Sequence, residues 1–280
     1  MTRTLILHVG SPKCGSTYLQ RVLLGNRAAL NASGVTYPHP GGGGHPGTPV
    51  TLGGLDRDRL DRLFETQSTL VLSHEDYFGQ AQQAVRLADA VSGTGTRVHV
   101  LVFLRPFSGF LFGDYSQFLK QNLDRYIAEG ACHDGRSFER FAADRARSLT
   151  ITGYLRAWRR VLPEATLTVA RHGDIRTVVS QVLPCVALDW SVPIHKANPS
   201  LRMWDCDEIV RAVTAGLPPE VIRGMLRLAL DKTALPDPGR TAERVAWAEA
   251  LFGRQRDEIR EEFGLDLDLC PVSEPARRAA

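Results

Sequence analysis

The chain has 280 residues, of which 43% are hydrophobic and 23% are charged, so it is long enough to bury a full core in one large domain or two small ones. Its formal net charge of +3 is too small for nucleic-acid binding through bulk charge, and no apolar run approaches the length of a membrane span. The five cysteines are widely spaced and include no CxxC pair, which excludes a disulfide scaffold and a zinc ribbon and predicts a cytoplasmic protein. The first residues lack a small-residue cleavage site, so we expect no signal peptide.

Three short apolar runs in the first half of the chain are typical of strands buried on both faces of a sheet. They span Thr4–Val9, Thr69–Leu72 and Val98–Leu104, and helical periodicity follows the first of them over Thr17–Leu30. Strands that alternate with helices predict an α/β fold with a central parallel sheet flanked by helices. In such sheets ligands bind where the strands end, so the residues directly after each strand are the candidates for a site.

The second half of the chain is predicted to contain one further strand and a helical C-terminal part. Thr166–Ala170 is the strand candidate, and a helix follows it. From Asp205 onward the apolar pattern is helical, and the last helix is predicted over Glu243–Phe263. No composition shift marks a domain boundary, so we expect a single domain over 1–270 with a frayed tail over 271–280.

The stretch Pro38–Gly54 contains the run PHPGGGGHPG, and glycine and proline at this density predict a flexible loop or lid that cannot be a packed element. It carries His39 and His45, which have no nearby carboxylate or cysteine in the sequence to complete a metal site. We therefore predict that both histidines are ordinary loop residues and that the protein has no metal.

The turn after the first strand is the strongest candidate for a binding site. Its sequence, Gly10-Ser-Pro-Lys-Cys-Gly-Ser-Thr17, differs from a Walker A loop because Ser16 stands where the lysine should be, and Lys13 lies inside the loop instead. Backbone N–H groups, a helix N-terminus and a lysine charge together predict an anion site. The alternative is an ordinary strand-to-helix turn in which Ser16 or Thr17 caps the helix.

Over Leu7–Gln20 the chain resembles the 5′-phosphosulfate loop of the sulfotransferases, closest to the bacterial pattern H-x-G-x-x-K-x-G-[ST]-[ST]-x-L-Q. Those enzymes use 3′-phosphoadenosine 5′-phosphosulfate (PAPS) as sulfuryl donor, and the resemblance implies a P-loop-like sulfotransferase fold. It implies that Lys13 contacts the bridging oxygen of the phosphosulfate and neutralises charge on the departing phosphate. It also implies that the 5′-phosphate is bound by the residues that follow, which are Cys14, Gly15, Ser16 and Thr17.

A second segment, Val100–Gln117, resembles the 3′-phosphate segment of the same family. The resemblance implies that Arg105, at the end of its strand, clamps the 3′-phosphate with its bidentate guanidinium. The serine of the family pattern is replaced here by Gly113, and we expect Ser116 or Ser108 to supply the hydroxyl instead. The alternative for Arg105 is an ion-paired arginine at a strand end.

The catalytic base is expected just after the second strand, where the sequence offers both His74 and Glu75. Transfer of a sulfuryl group to a hydroxyl requires a base within hydrogen-bond reach of the departing proton. Cytosolic sulfotransferases carry a histidine just past such a strand, whereas many bacterial relatives read Ser-Ser-Glu. We predict that Ser73 caps a helix that begins at His74, and we favour His74 as the base because imidazole titrates near neutral pH. In the alternative, both side chains belong to a solvent-facing first turn.

A polar segment, Ile194–Leu201, resembles the family's loop after the core sheet. Lys196, one of only four lysines in the chain, is either a ligand of the 3′-phosphate or a solvated loop residue. The sequence favours neither interpretation over the other.

Together these resemblances imply a PAPS-dependent sulfotransferase of bacterial type. Its acceptor would be a hydroxyl or amine of a small molecule, a glycolipid head group or an oligosaccharide. One competing interpretation is a P-loop-type phosphotransferase, which needs a lysine at position 16 and a strand-end aspartate for Mg²⁺. The other is a non-catalytic nucleotide-binding relative.

Overall fold

A parallel sheet forms the centre of the protein in a computed structural model that describes residues 2–42, 44–192 and 198–267. Its five strands are β1 (Thr4–Val9), β2 (Val35–Thr36), β3 (Thr69–His74), β4 (Arg97–Leu104) and β5 (Thr166–Arg171). They lie in the order β2-β3-β1-β4-β5, and all neighbouring strands run parallel. The predicted α/β fold with a central parallel sheet is thereby confirmed.

Both faces of the sheet are covered, which explains why its strands read as continuous apolar runs. Along β1, Leu5 and Leu7 belong to the larger hydrophobic cluster, whereas Ile6 belongs to a second cluster on the opposite face. All three side chains are at most 2% exposed. Alternate residues of β1 therefore belong to two hydrophobic clusters, one on each face of the sheet.

The described residues form α-helices between the strands and in a C-terminal part. In chain order they are α1 (Ser16–Gly25), α2 (Arg27–Ala32), α3 (Arg57–Leu63), α4 (Val85–Val91), α5 (Phe107–Glu129), α6 (Phe138–Ser148), α7 (Ile151–Val161), α8 (Ile175–Val182), α9 (Met203–Thr214), α10 (Pro219–Asp231), α11 (Ala242–Ala250) and α12 (Gly253–Phe263). The predicted helical C-terminal part is confirmed as α9 to α12. Within the described ranges, none of these helices has the length and apolarity to cross a membrane.

Two predicted helices are each divided into two. The helix predicted over Thr17–Leu30 breaks at Asn26, whose side-chain amide donates two hydrogen bonds of 2.8 Å to backbone oxygens, one of them in a distant loop. The helix predicted over Glu243–Phe263 breaks at Phe252, whose ring stacks on Phe107 with centroids 4.3 Å apart. Both breaks coincide with tertiary contacts that helical periodicity does not encode.

The strand order creates a crevice at the carboxyl end of the sheet. The chain leaves β1 towards β2 and β3 on one side, and it leaves β4 towards β5 on the other. Because these two connections diverge, the loops that follow β1 and β4 border an open crevice. The first of these loops begins at Gly10 and the second at Arg105, so both predicted phosphate-binding segments lie at this crevice.

The glycine-rich stretch Pro38–Gly54 is a packed element in its second half, so the prediction that it cannot pack is wrong there. The N–H of Thr48 donates to the backbone oxygen of Ser73 at 2.8 Å, and the N–H of Ser73 donates to Thr48 Oγ1 at 3.0 Å. Leu52 is fully buried within a short 3-10 helix. These contacts hold the loop against the end of β3, beside the crevice.

Two buried histidines and one partly buried histidine make the fold sensitive to acid. Burial is the largest cause that lowers the pKa of His8, His133 and His172 to about 4 in each case. In the unfolded chain an imidazole takes up a proton near pH 6.5, whereas in the folded protein these three do so only near pH 4. Between these pH values protons bind to the unfolded chain in preference, so the contribution of these groups to the free energy of unfolding is highest above pH 6.5 and falls as the pH falls towards 4. For His8, which is 1% exposed, the loss amounts to about 3 kcal/mol.

We expect the free energy of unfolding to fall steeply between pH 6.5 and pH 4, and we expect His8→Asn to flatten that fall. An asparagine can keep a hydrogen bond to Ser73 Oγ, which lies 2.7 Å from His8 Nδ1, but it cannot bind a proton. Denaturant titrations at a series of pH values measure the proton uptake on unfolding, which should be about one proton smaller in the variant. An identical slope in both proteins would contradict this assignment.

Candidate active site

A polar cleft of about 650 Å³ opens at the carboxyl edge of the sheet. The polar side chains at its wall include Ser11, Lys13, Ser16, Thr17, Glu75, Arg105, Asp114, Gln117, His172, Asn198, Ser200 and Arg240. The residues predicted to bind or react that the structure brings together here are Lys13, Gly15, Ser16, Thr17, Glu75 and Arg105. They come from the loops after three different strands, β1, β3 and β4.

The loop after β1 leads directly into α1 at the cleft wall. Its backbone enters the left-handed region at Lys13, with φ 58°, and at Gly15, with φ 81°. Gly15 is the N-cap of α1, so the alternative in which Ser16 or Thr17 caps the helix is wrong, and no side chain of the described ranges caps it. The first amide groups of α1 are therefore available to an anion, next to the positive end of the helix dipole.

The hydroxyl of Ser16 indicates that this wall of the cleft is built for a ligand. Ser16 is 6% exposed and lines the cleft, yet its Oγ has no hydrogen-bond partner among the described residues. A buried polar group without a partner costs about 1–3 kcal/mol, so folded proteins keep few of them. An anion held by the first amides of the helix would accept a hydrogen bond from this hydroxyl and remove the cost.

Lys13 packs against α5 at Gly113. The sulfotransferase pattern has a serine at this position. A Cβ atom at position 113 would lie 3.3 Å from Lys13 Cβ and 3.3 Å from Ser200 Oγ. Glycine therefore makes room for Lys13, and Ser200 brings a hydroxyl close to the place that a serine at position 113 would occupy. Burial lowers the pKa of the Lys13 ammonium, and the charges of Asp114 and Glu75 oppose this shift.

Arg105 connects the two sides of the crevice. Its Nη1 donates to the backbone oxygen of Lys13 at 2.8 Å, so the guanidinium bridges the loops after β1 and β4. Burial lowers the pKa of Arg105, and the nearby positive charge of Arg240 lowers it further. Two guanidinium groups that line one cleft and repel each other favour an anion there.

Arg240 is a cation of the cleft that the sequence analysis missed. Its Nε lies 3.1 Å from Asp237 Oδ2, and its guanidinium lies 5.1 Å from the ring centre of Phe112 on α5. No local pattern marks this residue, because its place beside Arg105 depends on how the C-terminal helices pack on α5. His172, which follows β5 and also lines the cleft, was missed for the same reason.

Three predicted binding side chains lie outside the cleft. The thiol of Cys14 is buried, and burial raises its pKa to about 11. Ser108 is buried at the start of α5, where its N–H and its hydroxyl donate to Glu249 Oε1 at 2.7 and 2.5 Å. Ser116 is fully buried, and its Oγ accepts a hydrogen bond of 2.8 Å from the N–H of Leu201. Each of these side chains serves the core or an internal hydrogen bond, and none of the three lines the cleft.

Polar side chains on α5 instead hold the segment that ends in Ser200. Gln117 Oε1 accepts a hydrogen bond of 3.2 Å from Asn198, and Lys120 donates to Asn198 Oδ1 at 2.7 Å. Burial is the main cause that lowers the pKa of Lys120 to about 8. Lys196, the lysine that the resemblance singled out, lies outside the described residues.

Of the two candidate bases, Glu75 lines the cleft and His74 does not. Strand β3 continues through His74, so the predicted helix cap at Ser73 is wrong, and the Ser73 hydroxyl instead contacts a histidine of β1 at 2.7 Å. The ring of His74 lies between those of His45 and Tyr77, with centroid distances of 5.1 and 5.5 Å. The preference for His74 rested on the general acid–base chemistry of imidazole, whereas the placement of the two side chains favours Glu75.

An open depression of about 670 Å³ also lies between α6, α9 and α11. Arg244 lines this depression, and its positive charge is neutralised by the carboxylate of Asp207, which it binds through two contacts of 2.7 and 3.1 Å. In the first cleft, by contrast, Lys13 and Arg105 line the wall together with an unpartnered hydroxyl, and the one ion-paired cation among the described residues there is Arg240. The first cleft is therefore the stronger candidate for binding an anion.

No family model, curated protein sequence or solved structure matches this chain. In the part of the chain that the structure describes, no three metal-ligating side chains converge. Function is therefore inferred from the cleft, which combines a helix N-terminus, several cations and a carboxylate. Such a site can stabilise an anionic leaving group on one side and accept a proton on the other.

Proposed function

We propose that the protein is a sulfotransferase that moves the sulfuryl group of PAPS to a hydroxyl or amine of a small-molecule or carbohydrate acceptor. The observation that carries this proposal is that two sets of positively charged or N–H donor groups line one cleft. One is the N-terminus of α1 with Ser16 and Lys13, and the other is the guanidinium pair of Arg105 and Arg240. PAPS is a ligand that carries anionic groups at two separate positions of its ribose, which suits this arrangement.

The residues of the cleft fit this donor. The amides at the start of α1 would hold the 5′-phosphate, and the unpartnered hydroxyl of Ser16 would donate a hydrogen bond to it. Arg105 and Arg240 would hold the 3′-phosphate, which would relieve the repulsion between their like charges. When bound, PAPS supplies an activated sulfuryl group on a phosphate leaving group.

Lys13 and Glu75 take opposite roles in this proposal. The Lys13 ammonium, beside the helix N-terminus, stabilises the negative charge that develops on the leaving phosphate. Glu75 accepts the proton of the acceptor group while the new bond to sulfur forms. The carboxylate of Glu75 is close enough to raise the pKa of Lys13 against the effect of burial, and both side chains line the cleft.

A P-loop-type phosphotransferase fits the same cleft less well. It requires a lysine where the chain has Ser16, and it requires an aspartate at a strand end to hold Mg²⁺. Glu75 and Asp76 follow β3 at the cleft, whereas the buried acid Asp114 lies on α5 with its Oδ2 2.7 Å from Arg145 Nε. The feature that the chain lacks is therefore the lysine at position 16.

Transfer of ³⁵S from labelled PAPS to a panel of alcohols, amines, sugars and glycolipids tests the proposal directly. A labelled product that disappears in Lys13→Ala would support it. Phosphorylation of the same panel by ATP, without sulfuryl transfer, would favour the phosphotransferase. Tight binding of adenosine 3′,5′-bisphosphate without transfer to any acceptor would favour a non-catalytic relative.

We expect Glu75→Gln to lower turnover by about 100-fold or more, the usual contribution of a general base. His74→Phe should cost much less, because the His74 ring lies outside the cleft. Steady-state rates over a range of pH, with the affinity for adenosine 3′,5′-bisphosphate measured as a control for folding, compare the two variants. The reverse ranking would transfer the role of base to His74.

A further inference from the structure

His45, a residue of the glycine-rich loop, lies beside Glu75. His45 Nε2 lies 3.4 Å from Glu75 Oε1. On its other side the His45 ring lies next to the ring of His74, with centroids 5.1 Å apart. The fold of the loop thus brings an imidazole to the one carboxylate that the proposed reaction uses as a base.

The backbone of the loop determines which nitrogen of His45 carries the hydrogen. The N–H of Gly47 donates to His45 Nδ1 at 3.1 Å, which requires this atom to be unprotonated. In the neutral ring the hydrogen is therefore on Nε2, the atom that faces Glu75. His39 supports this arrangement, because its Nδ1 accepts the N–H of Gly41 at 2.9 Å and its Nε2 lies 2.8 Å from the backbone oxygen of His45.

Gly47 also allows the two imidazoles to lie side by side. A Cβ atom at position 47 would lie 3.0 Å from His45 Nδ1 and 3.1 Å from His74 Cδ2, so any side chain there must displace the rings. A Cβ atom at Gly44, in the same loop, would have nothing within 4 Å. Alanine at these two positions therefore gives a matched pair of variants, one that disturbs the rings and one that does not.

We propose that His45 is a positioning residue for Glu75: its Nε2–H donates to one carboxylate oxygen and leaves the other free to take the acceptor's proton. This inference rests on the proposed function, because it names the partner of the proposed base. A hydrogen bond to a carboxylate favours its charged form over the neutral acid, so removal of the donor is expected to change the pH profile of the rate. The charged groups near the pair are Lys13, which interacts with the Glu75 charge, and Asp76, whose Oδ2 lies 3.6 Å from Nδ1 of the neighbouring His74.

Two substitutions of His45 test this role. His45→Phe keeps a planar ring and removes the donor, whereas His45→Gln restores an N–H group. We expect His45→Phe to lower kcat about 10-fold, the effect of one hydrogen bond to a charged group, with the KM for PAPS unchanged. The rate falls on the acid side of its pH profile, and this fall, the acid limb, should move to higher pH in His45→Phe. In His45→Gln the acid limb should lie at the same pH as in the natural protein. A merely structural role would lower kcat without moving that limb, and this result would overturn the proposal.

The glycine variants supply an independent test. Gly47→Ala should reproduce the shifted acid limb of His45→Phe, because it displaces the imidazole without removing it. Gly44→Ala should have the rate and the pH profile of the natural protein. Equal losses in both glycine variants would show that the loop responds to any added side chain, and the proposal would fail.

A measurement that does not depend on sulfuryl transfer separates this inference from the proposed function. In the ¹⁵N-histidine spectrum of the free protein, His45 should be the Nε2–H tautomer, and its signals should change in Glu75→Gln. If transfer is never detected but these signals behave as expected, the proposed function fails and the pairing of His45 with Glu75 stands. If transfer is observed and His45→Phe leaves kcat and the pH profile unchanged, the inference fails alone.

Discussion

Replacing Lys13 by alanine is expected to lower turnover by about 100-fold or more. Lys13 lies in the loop before α1, beside the amides and the Ser16 hydroxyl that form the proposed phosphate site. Loss of one preorganised group that stabilises charge in the transition state costs on the order of 3 kcal/mol. Steady-state kinetics with labelled PAPS measures the effect as a fall in kcat.

Two features of the structure make this variant easy to interpret. Alanine keeps a Cβ atom, so the left-handed backbone at position 13, with φ 58°, is no more strained than with lysine. The hydrogen bond from Arg105 goes to the backbone oxygen of Lys13 and is kept. Lys232→Ala, at an exposed lysine after α10, is the matched control. Turnover at the level of the natural protein in Lys13→Ala would remove the leaving-group role.

In Arg105→Ala, adenosine 3′,5′-bisphosphate is expected to lose its advantage over adenosine 5′-phosphate. In the natural protein we expect the bisphosphate to bind at least about 30-fold more tightly, because Arg105 can make charge-assisted bonds to the additional phosphate. Arg240→Ala should reduce the same ratio in part, since both guanidinium groups line the cleft. Isothermal calorimetry with the two nucleotides measures the ratio.

The ratio of the two affinities is the informative quantity for Arg105. This side chain also holds the backbone of Lys13, so Arg105→Ala weakens the binding of both nucleotides through the loop. Arg254→Ala, at a side chain that is 91% exposed and pairs with Glu258, controls for the loss of one positive charge. Equal affinity for the two nucleotides in the natural protein would exclude a 3′-phosphate subsite and with it the choice of PAPS.

The strands were predictable from the sequence because burial on both faces leaves a strong local signal. The apolar run Thr4–Val9 coincides with β1, and the run Val98–Leu104 lacks only the first residue of β4. Strand β2, by contrast, has two residues, Val35 and Thr36, which is too short for any periodicity. The helix breaks were missed because they coincide with contacts between distant parts of the chain.

The residues of the candidate site also fall into two groups, those that local sequence patterns identified and those that depend on contacts between distant parts of the chain. The loop after β1 and Arg105 were identified from contiguous patterns, and the structure brings them together in one cleft. Ser73 was misread as a helix cap because its hydroxyl contacts His8 on the neighbouring strand instead. Arg240 reaches the cleft through the packing of the C-terminal helices, and His45 reaches Glu75 through the fold of a glycine-rich loop. Neither residue carries a signal of this placement in its own sequence neighbourhood.

The central position of β1 has a consequence for how the protein is made. Of the five strands in the sheet, β1 is synthesised first, but it pairs with residues that follow much later: His8 contacts Ser73, 65 positions on, and Arg105 reaches back 92 positions to Lys13. Parallel pairings over such distances form slowly, and until they form, both edges of an apolar strand are exposed. Arg240 follows all five strands along the chain. A nascent chain therefore contains every strand of the sheet before it contains every cation of the cleft, and a ligand that contacts Arg240 would stabilise only molecules in which the C-terminal helices have packed.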